Sequence, residues 1–478
     1  MTFQSLSFLV FLPAVLAVCF LTGKKHPRLG TAALTAASAV FYLWSFKTRA
    51  FLGFGVLAAG TAVSFLAGRA LSGERTAARR RGILTAAICW HTAVLLIFKY
   101  TGFFTGGAAD IGWAPLGLSF FTFQQIWYLK EVYTGQFEAQ AASEFVLYAF
   151  FFPAVSSGPI MRPGSFFPQL RGEKFLHPDW QDAAAGLYAL AVGMAKKVIL
   201  ADSFSIIVNN GWTQIRDLSA PAAWLVILGY TLQLYFDFSG YCDMAAGAAR
   251  MLGICLPVNF DSPYRSLSIG EFWKRWHITL TTFLRECVYF PLGGSKKGTL
   301  RTYLNILAIF LISGFWHGAG WTFIFWGLFH GICQVIERIW GKRREKLPVL
   351  LRWAATFLLV NVAWVFFRAP SLPQAFELLR AGLCGGWKAP DALLFTGAFK
   401  SEAEAVGVLV PALKSAGAQI CTAALYGAGL LAVLLPGNTI RRMDAFRPTF
   451  WRGVLICLLF AWTILSFTGI TTFIYANF

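Results

Sequence analysis

Charge is scarce in this sequence, and acid is scarcer than base. Only 13% of the 478 residues are Asp, Glu, Lys or Arg, 57% are hydrophobic, and the mean hydropathy is +0.60. Soluble globular chains carry about 25% charged and about 45–50% apolar residues, so the composition excludes a soluble enzyme and leaves an all-α polytopic membrane protein. The 22 acidic residues face 41 basic ones, a formal net charge of +19. No nucleic-acid partner follows from this, because the basic residues form short clusters between apolar spans, where Lys and Arg set topology in the bilayer. The nine cysteines include no CxxC pair and lie mostly in apolar spans, as small packing residues rather than a disulfide frame. HExxH is absent, as is any His–carboxylate pair at ligand spacing, so no metal site is expected. The two halves show no internal symmetry of the kind a transporter with a midplane histidine relay would carry.

Long apolar runs are what the chain does have. The first, Phe3 to Leu21, has no basic residue before it, unlike a cleavable signal peptide. Its basic cluster, Lys24-Lys25-His26-Pro27-Arg28, follows it, which places the N-terminus outside the cytoplasm and this loop inside. Spans near 30–46, 51–71 and 83–98 come next. The loop from Glu74-Arg75 through Arg79-Arg80-Arg81 is then expected inside and the glycine-rich stretch 101–115 outside. Loops around 296–301, 338–352 and 441–452 are expected inside as well. Between Pro115 and Leu200 the hydropathy is irregular: Leu118 to Gln125 mixes aromatics with amides, and Phe151 to Arg162 is interrupted by Pro153, Gly158 and Pro159. Such stretches predict re-entrant or cavity-lining segments, since non-helical backbone at membrane depth must be buried in protein or face water.

Three of the six histidines fall between Glu271 and Gly331. His26 and His177 stand in basic or proline-containing loops and read as solvated; His91, inside the fourth span, reads as structural. His317 sits in Ser-Gly-Phe-Trp-His-Gly-Ala-Gly-Trp, between apolar runs Tyr303 to Phe315 and Trp321 to Ile336. An ionisable residue at that depth faces a cavity or pathway by default, and the glycines let the backbone turn there. The bland alternative is a buried histidine making one hydrogen bond. His330 is thirteen residues on, about 20 Å along a continuous helix, and reads as structural. Asp237 and Asp243 are six apart, about 120° off one helical face, so they do not form a paired acid and base; Arg250, Arg265, Lys274 or Arg275 are their expected ion-pair partners.

The stretches FFPAVSSGPIMRPGSFFPQL, AKKVILAD, YFDFSGYCDMAAGAARMLGICLPVNFDSPYRS, EFWKRWHITLTTFLRECVYFPLGG, SGFWHGAGWTFIFWGLFHG and NVAWVFFRA, in that order, resemble the membrane-bound O-acyltransferase family, in particular its bacterial alginate O-acetyltransferase branch. The resemblance runs from about Pro115 to Arg380, within a single domain of 1–478 whose flanking spans are 1–114 and 418–478. It implies about eleven transmembrane helices ringed around a central tunnel, with His317 catalytic at its core and His277, in Arg275-Trp276-His277-Ile278-Thr279, as the second histidine. Thr279 replaces the usual serine and keeps a hydroxyl; Cys242 also stands where serine is usual. The ending Phe473-Ile474-Tyr475-Ala476-Asn477-Phe478 departs from the usual pattern.

Independently of the resemblance, acyl transfer from a thioester needs a positioned base for the acceptor hydroxyl, and imidazole suits neutral pH. His277 is left three roles: orienting the thioester, donating to the oxyanion, or fixing the tautomer of His317. The expected tunnel is lined by parts of 115–165, 237–290 and 313–331, with Trp276, Asp237, Ser239, Asp243, Arg275 and Trp316 as candidate substrate-binding residues. No cofactor is expected to be tightly bound. The expected donor is acetyl-CoA or another acyl thioester or carrier from the cytoplasm, and Lys296, Lys297 and Arg301 either attract a phosphorylated carrier or anchor their loop to lipid headgroups. The final acceptor is an extracellular or cell-wall polysaccharide such as alginate, reached with an extracytoplasmic SGNH-type acetyltransferase as partner, in the bacterial cytoplasmic membrane. D-alanyl transfer to teichoic acid is the competing reading within the family; the two further spans after Arg368 resemble the alginate branch better.

Overall fold

Twenty-one α-helices, seven short 3₁₀- or π-helical segments and one isolated β-bridge, Phe260 with Trp276, are the regular elements among the described residues of the computed structural model. Those residues are 1–23, 26–45, 49–73, 76–435, 437–467 and 474, without the side chains of 400–403, 405, 413 and 414. Lys24, Lys25, Glu74 and Arg75, and the ending apart from Ile474, therefore lie outside them. The N-terminal helices are α1 (Leu6–Gly23), α2 (Pro27–Ser45), α3 (Ala50–Ser72), α4 (Ala77–Phe104), α5 (Leu118–Tyr133), α6 (Ala142–Phe150) and the single turns α7 (Phe152–Val155) and α8 (Pro163–Phe166). The central ones are α9 (Trp180–Met194), α10 (Asp202–Thr213), α11 (Ala220–Met251), α12 (Ile269–Arg275), α13 (Ile278–Leu284), α14 (Thr299–His317) and α15 (Trp321–Trp340). The chain finishes with α16 (Val349–Arg368), α17 (Leu372–Cys384), α18 (Lys400–Leu409), α19 (Gly417–Leu434), α20 (Thr439–Asp444) and α21 (Phe450–Leu465).

Among the described residues, seven helical stretches are long and apolar enough to cross a membrane: α1, α3, α4, Trp180–Thr213, α14, α16 and α19. The helices α2, α11 and α15 are as long but more polar, and α21 is apolar but shorter. Outward-facing leucine, phenylalanine and tryptophan side chains, such as Leu21, Phe51, Leu66, Leu300 and Trp451, suit lipid as solvent. This is a multi-pass membrane protein.

The irregular stretch Leu118 to Gln125 is regular helix: it opens the uninterrupted helix α5. Its amides are there to bond neighbouring helices, Gln124 to the Tyr148 carbonyl at 2.8 Å and Gln125 to Thr61 and Ser64. Phe151 to Arg162 is broken, as its prolines dictate, into the short turn α7 and extended backbone buried throughout except at Arg162.

Two close glycine interfaces bring the site together. A Cβ at Gly186 on α9 would meet the Gly247 carbonyl of α11 at 2.6 Å, and one at Gly247 would meet the Gly186 carbonyl at 2.5 Å. One heptad further along, Gly193 and Gly240 stand in the same relation at 2.6 and 2.7 Å. Without side chains at these four positions the two backbones pack at van der Waals contact, the device membrane helices use where lipid removes the hydrophobic drive. Between α14 and α15, Gly314 meets the Phe323 carbonyl and Gly327 meets the Phe310 carbonyl equally closely. The Gly318–Gly320 turn thus folds α15 back along α14, with His317 at the tip.

Candidate active site

His277 precedes α13 in a strained backbone. Its φ of 45° and ψ of 54° are left-handed, a conformation that costs a non-glycine residue about 1–3 kcal/mol and persists only where the surroundings impose it. They do so through Asn259: its carbonyl accepts from Ile278 N at 3.0 Å, and its side-chain oxygen accepts from Thr279 N at 3.1 Å and Thr279 Oγ1 at 2.8 Å. The Phe260–Trp276 bridge holds the strand-like approach. Thr279 Oγ1 also accepts from Ile160 N at 3.2 Å, so the hydroxyl retained at this position ties the broken 151–162 segment to the histidine turn.

His317 ends α14. Both imidazoles are buried, and both touch Trp316, with ring centroids 5.9 Å away for His277 and 4.7 Å for His317. Phe120 and Phe238 close around His277 at 6.1 and 4.8 Å, while Trp326 and Phe367 close around His317 at 4.9 and 5.1 Å. The structure therefore brings His277, His317 and Trp316 into one aromatic chamber built from α5, α11, α13, α14, α15 and α16. His330 is nearer than a straight helix allows, because the glycine turn reverses the chain: its ring is 5.2 Å from the same Trp326 indole, and its Nδ1 accepts from Trp273 Nε1 at 3.3 Å. His91 bonds Ser64 Oγ at 2.7 Å within α3 and α4, away from the chamber; His177 Nδ1 lies 3.0 Å from the Phe175 carbonyl in a loop.

The remaining sequence candidates lie around this chamber rather than in it. Trp276 is buried against Phe272, Phe260 and Trp364, packing the floor beneath His277. Asp237 pairs with Lys197 at 2.7 Å and Asp243 with Lys196 at 2.6 Å. The expected partners Arg250, Arg265, Lys274 and Arg275 do not hold them: Arg250 pairs with Asp182 and Asp444, and Arg275 with Glu271. The cause is the glycine contact, which sets the π-helical turn Ala195–Ala201 after α9 against the middle of α11, so adjacent lysines reach both carboxylates. Ser239 faces a small cavity beside Lys196 and Asp243. Arg275 borders a surface groove with Arg265 and Trp353.

A separate cavity of about 270 Å³ runs between α12, α13, α14 and α15. Lys274, Arg285, Ser295 and Arg338 are the exposed part of its lining, and half-buried Thr281 and buried Ser313 the inner part. Thr281 is one helical turn after His277 and Ser313 one turn before His317, so the inner end lies about 6 Å along each helix from its histidine. Among the described residues no cluster of His, Cys, Asp and Glu is arranged to hold a metal ion.

Sequence reasoning missed Lys99 and Asn259. Lys99 lies just past the span expected near 83–98, but α4 continues to Phe104. Asn259 carries no pattern of its own; its role appears only when the chain folds back to His277.

The family profile of membrane-bound O-acyltransferases matches residues 119–372. A peptidoglycan O-acetyltransferase from Helicobacter pylori is 38% identical over 347 residues, 64% of this chain and 66% of its own length. A protein named "Probable alginate O-acetylase" from Pseudomonas aeruginosa is 36% identical over 397 residues, 80% of this chain and 74% of its own. A teichoic acid D-alanyltransferase from Bacillus subtilis is 28% identical over 257 residues, 51% of this chain and 65% of its own.

Proposed function

Because the chain belongs to the membrane-bound O-acyltransferase family, and is therefore an acyltransferase, we propose that it moves an acetyl group from a cytoplasmic thioester, most simply acetyl-CoA, toward a polysaccharide outside the bacterial cytoplasmic membrane. An extracytoplasmic SGNH-type acetyltransferase is the partner that completes delivery to a polymer such as alginate. His317 accepts the proton of the acceptor hydroxyl as its oxygen adds to the thioester carbonyl. Collapse of the tetrahedral intermediate breaks the carbon–sulfur bond, and the imidazolium returns the proton to the departing thiolate. His277, held in its strained turn, orients the thioester or donates to the oxyanion.

The observation that carries this reading is the cavity whose inner end lies one turn from both histidines. Its exposed basic residues Lys274, Arg285 and Arg338 complement a phosphorylated carrier. On this reading the loops at 296–301 and 338–352 face the cytoplasm and the N-terminus lies outside. His317 is sixteen residues into the membrane from Arg301, about 24 Å along α14, past the middle of a hydrocarbon core of about 30 Å, so the donor meets an outside acceptor deep in the protein.

Ser313→Trp tests the reading, because an indole there fills the inner end while Ser313→Ala leaves it open. The tryptophan variant is expected to lose at least about tenfold in kcat/KM for acetyl-CoA at unchanged membrane abundance, and the alanine variant to stay near wild type. Wild-type kinetics in a stably inserted Ser313→Trp protein contradict donor entry by this route.

A further inference from the structure

Lys99 is a lysine inside a membrane helix whose contacts all lead to the histidine chamber. It is about 30 Å along α4 from Arg79, where the last turns of that helix pack on the α14–α15 tip: Tyr100 lies 5.5 Å from Phe315 and Phe103 lies 5.6 Å from Trp321 by ring centroid. Among the described residues Lys99 joins none of the ion pairs. Its ammonium donates to Ser119 Oγ at 3.2 Å and to the Trp316 carbonyl, and stands 5.9 Å from the centre of the Trp316 ring. The Trp316 indole N–H in turn donates to the Ser119 carbonyl at 3.2 Å. Lysine, serine and tryptophan so form a closed clamp across α4, α5 and α14.

The clamped carbonyl is one of the last four of α14, which lack helical partners; a cation at a helix C-terminus is favoured there. A neutral donor would satisfy the carbonyl without taking a cation out of water. The carbonyl of Trp316 shares its rigid peptide plane with the N–H of His317, and the Trp316 ring touches both imidazoles. We propose that Lys99 is a positioning residue for acyl transfer: through Ser119 and Trp316 it fixes the peptide plane that presents His317 and the indole against which both histidines rest.

This rests on His317 as the reacting base, so the test compares purified wild type, His317→Ala, Lys99→Met and Lys99→Arg with acetyl-CoA as donor. Lys99→Met is expected to lower kcat at least about tenfold, since small misplacements at a reacting centre carry penalties of that order or more. Its KM for acetyl-CoA stays within about twofold and its thermal midpoint stays near wild type, while Lys99→Arg recovers most of kcat. Wild-type kcat in Lys99→Met, or a loss that merely tracks the fraction of folded protein, overturns the proposal. If Lys99→Met does not accumulate, Ser119→Ala decides: a reduced kcat at unchanged KM supports the clamp, and an unchanged kcat overturns it. Full activity in His317→Ala instead removes the base assignment, a separate failure.

Discussion

His317→Ala is expected to abolish acylation of the acceptor while the protein accumulates in the membrane at close to the wild-type level. A general base contributes about 10²–10⁴-fold, and the chamber offers a limited replacement: His277 sits across Trp316, and His330 is held by Trp273 on the far side of Trp326. The substitution removes the imidazole from the helix tip without touching the glycine contacts that hold α14 to α15. Transfer rates and quantitative immunodetection, measured together, separate lost chemistry from lost protein. His277→Ala should impair transfer less completely, in keeping with an orienting or oxyanion role. Normal polymer acylation in His317→Ala contradicts the assignment of the base.

Asp237→Ala is expected to damage stability more than any surface substitution. The Asp237 carboxylate, buried in α11, pairs with the buried Lys197 ammonium at 2.7 Å and accepts from Ile474 N at 2.8 Å. Removing it leaves Lys197 with Asp202 alone, also at 2.7 Å, and strips the Ile474 amide of its acceptor. Breaking a buried pair from one side costs about 3–5 kcal/mol, whereas replacing both partners by apolar side chains is often close to neutral. The thermal midpoint in detergent should therefore fall markedly in Asp237→Ala and recover in part in Lys197→Met/Asp237→Leu. Equal midpoints for wild type and Asp237→Ala contradict a structural role for the pair.

How much was legible in the sequence differs from element to element. The early spans were in large part, because long apolar runs report directly on the bilayer: runs expected near 51–71 and 83–98 lie in α3 and α4. His317 stood out as a histidine in aromatic, glycine-bearing apolar sequence and His277 through the family resemblance, and the fold sets both against Trp316. Pairings that depend on tertiary approach were hidden. The partners of Asp237 and Asp243 are fixed by glycines on α9 and α11, and spacing along α11 alone favoured the wrong arginines. Leu118 to Gln125 read as irregular because its amides interrupt the hydropathy, yet each bonds a neighbouring helix, so the helix survives. His330 was measured along a straight helix, whereas the Gly318–Gly320 turn doubles it back. The left-handed backbone of His277 leaves no trace in composition, since only the meeting of 259–261 with 275–279 imposes it.

The central claim is that a thioester entering from the cytoplasmic side is consumed at the His277–His317 chamber. The most direct measurement uses sealed vesicles of known orientation, carrying wild type or His317→Ala, with labelled acetyl-CoA supplied to one face only. The account predicts histidine-dependent release of free coenzyme A when the donor meets the face bearing the 296–301 and 338–352 loops, and none when it meets the opposite face. Equal release from both faces, or release that survives His317→Ala, would contradict it.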